Sequence, residues 1–202
     1  MRYLQKAYPL LTILAVCVFW EWAVHWFKIP ILVLPSPSDI GLNLIRKSEL
    51  FWAFSLPTLV EILAGFFMAA VTGVGLGILI SFSPWAKSSI YPILISSQMV
   101  PKVAIAPVLT IWFGTGLLAK TFIAFLIAFF PITISTMVGL DAIEPDMVRM
   151  FRAMGAGPYR TFIKLRLPAA LPNIFAGLKI GMSLAVVGAV GSEFVAADRD
   201  RK

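Results

Sequence analysis

Side chains able to do chemistry are sparse in this 202-residue sequence, and their spacing excludes most reactions. The carboxylates Glu21, Glu61, Asp141, Glu144 and Glu193 are scattered singly rather than paired for acid–base work. His25 is the only histidine, which rules out multi-histidine metal sites and the usual imidazole shuttles. Cys17 is also alone, inside an apolar run, so there is no disulfide frame and no thiolate metal knot. Serines are plentiful, yet none has a base beside it by spacing, and no G-x-x-x-x-G-K-S/T stretch could cradle a nucleotide phosphate. An enzyme is not the expectation.

Charge is concentrated instead in one segment, DMVRMFRAMGAGPYRTFIKLRLPAALP, from Asp146 to Pro172. It carries Arg149, Arg152, Arg160, Lys164 and Arg166 against almost no acid. Each would cost roughly 2.5–3.5 kcal/mol at the centre of a bilayer, so the segment belongs in water beside a membrane. Its pattern is a short helical run, a turn at Gly155-Ala156-Gly157, a basic amphipathic run, and Leu167-Pro168. The chemistry this suits is docking. A second polar intrusion, Gln98, Pro101 and Lys102 in SSQMVPKVAIAP, falls inside an apolar stretch. Proline there breaks the helical ladder, and a bilayer tolerates that only against protein or a water-filled cavity. These three residues are the candidates for a translocation path; a lysine at the boundary of a shorter helix is the plain alternative.

The elements that must position these residues are membrane spans. The chain is 59% hydrophobic and 13% charged, with a mean hydropathy of +0.90. Soluble domains carry about 25% charged residues, so this is an integral membrane protein. The net charge of +7 lies in the gaps between apolar runs, which argues for cytoplasmic loops and against a nucleic-acid partner.

Residues 1–8 are expected as a cytoplasmic N-terminus, followed by spans near 9–27, 58–82, 90–112, 121–140 and 174–194. The first run ends in Phe19-Trp20-Glu21-Trp22 rather than a small-residue cleavage site, so it is read as a retained helix with an aromatic belt. Glu21 is expected at the interface, with a site inside the helix as the alternative. Pro30, Pro35 and Pro37 break the chain after it, and Ser38 or Asp39 could cap a short surface helix to about Lys47. In the second span Gly73 and Gly77 form a GxxxG, read as helix packing within the subunit. Ser83 to Lys87 is expected as a turn, Phe113 to Lys120 as an outer loop, and 141–173 as a cytoplasmic loop.

The basic segment resembles the cytoplasmic loop of permease subunits of binding-protein-dependent ABC importers, whose form is EAA---G---------I-LP. Gly155 stands at its glycine, Leu165 at its isoleucine and Leu167-Pro168 at its LP, while Arg149, Met150 and Phe151 replace EAA. LPSPSDI, GFFMAAVTGVGLGILI, APVLTIWFGTG, FFPITISTMVGL and GAVGSEFVAAD are similar to the nitrate, sulfonate and taurine branch of these permeases. SQMVPKVAIAP looks like members that import thiamine-precursor pyrimidines or riboflavin.

The resemblance implies an all-α, type I ABC importer permease in a bacterial-type inner membrane, surrounded by lipid. It implies a permease homodimer, two cytoplasmic ATPase subunits that bind ATP and Mg, and an extracytoplasmic solute-binding protein; this chain would bind no cofactor. The residues it assigns to ATPase coupling are Arg152, Met154, Gly155, Ala156, Gly157, Leu165, Leu167 and Pro168. Gly155 and Gly157 are expected to permit positive φ or a close backbone approach, or simply to cap a helix. Family members continue past the EFVAAD-like segment with a further membrane helix, so the final helix is expected to be missing and 195–202 to be the tail of a truncation. Two alternatives stand beside the importer: a truncated non-functional remnant, and a stand-alone secondary carrier drawing on Lys102, Lys179 and Glu193.

Overall fold

The computed structural model describes the backbone of residues 2–114 and 116–199, and the side chains of 8–101, 104–105, 107–109, 111–114 and 116–194. The side chains of Arg2, Lys6 and Lys102, and most of the expected tail beyond its helical backbone, lie outside the described residues. All regular structure among the described residues is helical. Among the described residues four helices are long and apolar enough to cross a membrane: Tyr8–Trp26, Ser48–Phe82, Leu117–Asp141 and Pro158–Phe194. The chain divides into two compact units, Met1–Leu56 and Pro57–Lys202.

The first unit holds α1 (Arg2–Trp26), α2 (Pro37–Arg46) and the opening turns of α3 (Ser48–Phe82). The rings of Trp22 and Trp26, one helical turn apart, stack at 5.4 Å. Helix α2 starts at Pro37 because Ser36, in extended backbone, accepts the Asp39 amide on its hydroxyl. Glu21 is the fastener between α1 and α2. It accepts the Ser38 amide at 3.0 Å and the Ser38 hydroxyl at 2.7 Å. Its role is therefore structural, and its charge is met at the start of a helix, where negative charge is favoured.

The second unit holds the rest of α3, then α4 (Pro84–Gln98), a 3-10 turn (Lys102–Ile105), α5 (Ala106–Phe113), α6 (Leu117–Asp141), α7 (Pro145–Ala153), α8 (Pro158–Thr161) and α9 (Leu167–Arg199). A π turn over Phe162–Arg166 joins α8 to α9 without a break. Helix α6 is the centre. Its Ala124, Ala128 and Ile132 are fully buried against Ile62 and Ala69 of α3 and against Ala185 and Ala189 of α9.

Small residues set these contacts. A Cβ added at Gly65 would stand 2.8 Å from the Thr121 carbonyl oxygen, and one at Gly77 2.8 Å from Thr136 Cβ. On the other flank, a Cβ at Gly177 would meet Ser135 Cβ at 2.5 Å. In lipid, where apolar burial drives little, such close van der Waals packing is what holds helices together. Both GxxxG pairs, Gly73/Gly77 and Gly177/Gly181, therefore face α6 of the same chain.

Several boundaries differ from the expected ones. The stretch 90–112 is not one helix: α4 ends at Gln98, and Pro101, which has no amide to donate, follows a turn before the 3-10 segment. SPWAK is not a separate turn either. Ser83 accepts the Ala86 amide on its hydroxyl at 3.2 Å, so the segment is the cap and first turn of α4. Helix α3 starts at Ser48 rather than near 58 and carries Pro57 inside it. Leu117–Lys120 belong to α6 rather than to a loop, and the last span reaches back to Pro158. The segment 141–173 is thus mainly helical.

Candidate functional site

The basic segment is built as two helices hinged on one glycine. Helix α7 begins at Pro145, which lacks an amide that a first helical turn would leave unpaired in any case. Its inward side is Val148 and Phe151, both half-buried. Its outward side presents Met147, Met150 and, just past its end, Met154, spaced three and four residues apart and all exposed. Met154 is 77% exposed, as is Tyr159 beyond the turn. Arg152 lies on the surface too, whereas Arg149 is engaged by Asp146.

Gly155 closes α7 with φ +81°. Its amide donates to the Arg152 carbonyl at 2.9 Å, and the Ala156 amide donates to the Phe151 carbonyl at 3.0 Å. These two bonds satisfy helix-end carbonyls in a Schellman arrangement, which requires a left-handed residue that only glycine adopts cheaply. Nothing lies within 4 Å of a Cβ on Gly155, so backbone conformation rather than close approach sets the requirement. Gly157 is different. Its φ is −69° and the space around it is open, so the expectation of positive φ or close approach fails there. It serves as the entry to α8, accepting the Thr161 amide and hydroxyl on its carbonyl, each at 3.0 Å.

The segment is anchored below the turn. Leu165 is buried, and Leu167 packs with Phe162 against Leu140, Ala170 and Ile174. The π turn is closed by the Leu167 amide donating to the Phe162 carbonyl, five residues back. It precedes Pro168, whose missing amide would have broken an α-helical ladder at this point. Pro168 itself is exposed, so the anchoring falls to its leucine neighbours. At the same end of the bundle, Lys87 of α4 pairs with Asp141 of α6 at 2.8 Å.

Of the expected path residues, Gln98 and Pro101 are exposed at the break after α4. The structure does not bring them together with the basic segment.

Spacing alone missed a junction at the opposite end of α6, about 30 Å away by helical rise. Lys120 lies 3.4 Å from Glu61 of α3 and 3.6 Å from Glu193 of α9. Glu193 also accepts the Thr58 hydroxyl. Glu61 is 2% exposed, and its second oxygen has no hydrogen-bond partner among the described residues. The available signal was that each of these charges sits near the end of an otherwise apolar run. Charges near the starts of two parallel apolar runs, in α3 and α6, and at the end of the antiparallel run in α9 fall at one end of the bundle and are candidates to meet.

The family described as "Binding-protein-dependent transport system inner membrane component" matches residues 62–200. A probable ABC transporter permease protein of Haemophilus influenzae is 35% identical over 187 residues, covering 93% of this chain and 76% of the relative. The formylaminopyrimidine transport permease of Halalkalibacterium halodurans is 35% identical over 198 residues, covering 98% and 79%. The riboflavin transport system permease of Chloroflexus aurantiacus is 36% identical over 187 residues, covering 92% and 70%. Permeases named for taurine and nitrate transport match as well. With its apolar helices packed through small residues, the chain is a member of the binding-protein-dependent transport system inner membrane component family, a multi-pass permease subunit of an ABC importer from the nitrate, sulfonate and taurine branch.

Proposed function

We propose that this chain forms the solute path of an ATP-driven importer and couples it to a separate ATPase through the segment around Gly155. The observation that carries this reading is the exposed stripe of Met147, Met150, Met154 and Tyr159 beside Arg152, presented on a turn that Gly155 fixes. An exposed apolar row with basic neighbours suits a groove on a partner protein, and methionine adapts to such surfaces. From that turn one uninterrupted helical rod runs from Pro158 into the bundle. Closure of the partner would move this rod as a rigid body against α6, rather than bend it. In this reading ATP and Mg are bound by the ATPase, this chain holds no cofactor, two permease copies enclose the path, and an extracytoplasmic protein delivers the solute. Gln98, Pro101 and Lys102 line the path at the helix break, where irregular backbone requires a polar lumen or protein cover.

Relatives named for formylaminopyrimidine and riboflavin transport support a small nitrogen heterocycle as the solute. The test of coupling is Gly155→Arg, assayed as ATP-dependent uptake in cells that contain the ATPase and binding protein. Uptake should be abolished while membrane insertion is unchanged. Normal uptake would remove the coupling assignment, and uptake without any ATPase would favour a secondary carrier.

A further inference from the structure

A cavity of about 480 Å³ lies under the basic segment, where α7, α8 and the π turn meet the ends of α3, α4 and α6. Its polar lining is Lys87, Asp141, Arg152 and Arg166, with Ser81 and Thr161. Asp141 is neutralised by Lys87 at 2.8 Å, so the cavity carries a surplus of two guanidinium groups. Among the described residues neither Arg152 nor Arg166 makes an ion pair. On one side the wall is apolar, formed by Phe82, Pro84, Val148 and Pro158, and Phe82 is half exposed. Trp85, next to the lining residue Pro84, is 73% exposed, as aromatic side chains at a membrane–water boundary are.

We propose that this cavity binds the phosphodiester headgroup of an anionic phospholipid of the inner leaflet, with Arg152 and Arg166 on the phosphate and the glycerol end against Phe82. Two guanidinium forks match phosphate oxygens in charge and geometry. The site lies where apolar helices end, at headgroup depth, and basic pockets between membrane helices take such headgroups. An acidic side chain from a partner protein would satisfy the charge but leave the apolar wall and most of the volume unused. The bound lipid would tie the coupling segment to the bilayer surface. This inference rests on the cytoplasmic placement of the segment given above, but not on ATPase docking.

The experiment uses the full chain purified in maltoside micelles without ATPase, titrated with phosphatidylglycerol or phosphatidylcholine and read by native mass spectrometry. The wild-type chain should retain phosphatidylglycerol selectively. Arg152→Gln with Arg166→Gln should weaken retention about 25-fold, two cations at roughly a factor of five each. Arg160→Gln with Lys164→Gln removes the same charge outside the cavity and should leave retention unchanged. A measurement that needs no variant is phenylglyoxal labelling of the wild-type chain. Phosphatidylglycerol should protect Arg152 and Arg166 but not Arg160. Equal retention by both variant pairs, equal retention of phosphatidylcholine, or absence of selective protection would overturn the proposal. Displacement of the lipid by millimolar inorganic phosphate would identify a free-anion site instead. If the cavity variant keeps the lipid but loses ATPase co-purification, these cations belong to a protein contact and the lipid assignment falls; Gly155→Arg tests docking separately.

Discussion

Replacing Lys120 with methionine keeps most of the length and the apolar stem of the side chain and removes the cation that lies between Glu61 and Glu193. At an effective permittivity of about 20, a unit pair 3.4–3.6 Å apart attracts by about 5 kcal/mol before desolvation is charged against it. Desolvation offsets much of that in the intact junction. It does not relent when the cation is gone, because Glu61 stays buried with no other ion-pair partner among the described residues. The expected cost of Lys120→Met is therefore that of breaking a buried pair, about 3–5 kcal/mol. Glu193 is partly exposed and can rehydrate, so Glu193→Gln should cost far less. Adding Glu61→Gln to Lys120→Met removes the stranded charge and should recover at least about half of the loss. Stability can be followed by tryptophan fluorescence through unfolding in mixed dodecyl sulfate–maltoside micelles. If Lys120→Met costs under about 1 kcal/mol, or if Glu61→Gln gives no recovery, the junction is a solvated surface cluster and the reasoning fails.

Other substitutions separate packing from docking. Gly65→Val places carbon 2.8 Å from the Thr121 carbonyl oxygen and should cost about 1–3 kcal/mol in the same unfolding assay, by forcing α3 off α6. Gly41→Ala, at a half-buried position of α2 where an added Cβ meets nothing within 4 Å, should instead stabilise by about 0.5–1 kcal/mol through helix propensity. Met150→Asp changes an exposed side chain, so unfolding should shift by no more than about 0.5 kcal/mol while co-purification of the ATPase is lost.

The membrane class, the packing role of the glycines and the register of Gly155 relative to Leu167-Pro168 were legible because they follow from local facts. Hydropathy, a four-residue spacing and a turn residue do not depend on distant partners. The extent of the helices was less legible. Proline normally reads as an end, yet Pro57 lies inside α3 and Pro168 inside the rod, where a π turn absorbs the missing amide. Polar residues normally read as loop, yet the stretch from Pro158 is helical because Leu165 and Leu167 pack below it. Glu21 and Lys120 were beyond local reading for another reason. Their partners, Ser38 in one case and Glu61 and Glu193 in the other, are 17 to 73 residues away, so only the assembled unit shows what each charge does.

The π turn between Pro158 and the bundle works as a phase shifter. One residue of an α-helix corresponds to about 100° of rotation, so the wider turn re-aims every side chain above it relative to those below without interrupting the rod. The segment proposed to meet an outside partner and the segment that meets α6 can then each keep its own face. Substitutions at the exposed Ile163 and Lys164 leave that gearing intact, but a single insertion or deletion swings the methionine-bearing turn about a third of the way around the axis. Length is the quantity this stretch must hold constant, more than composition.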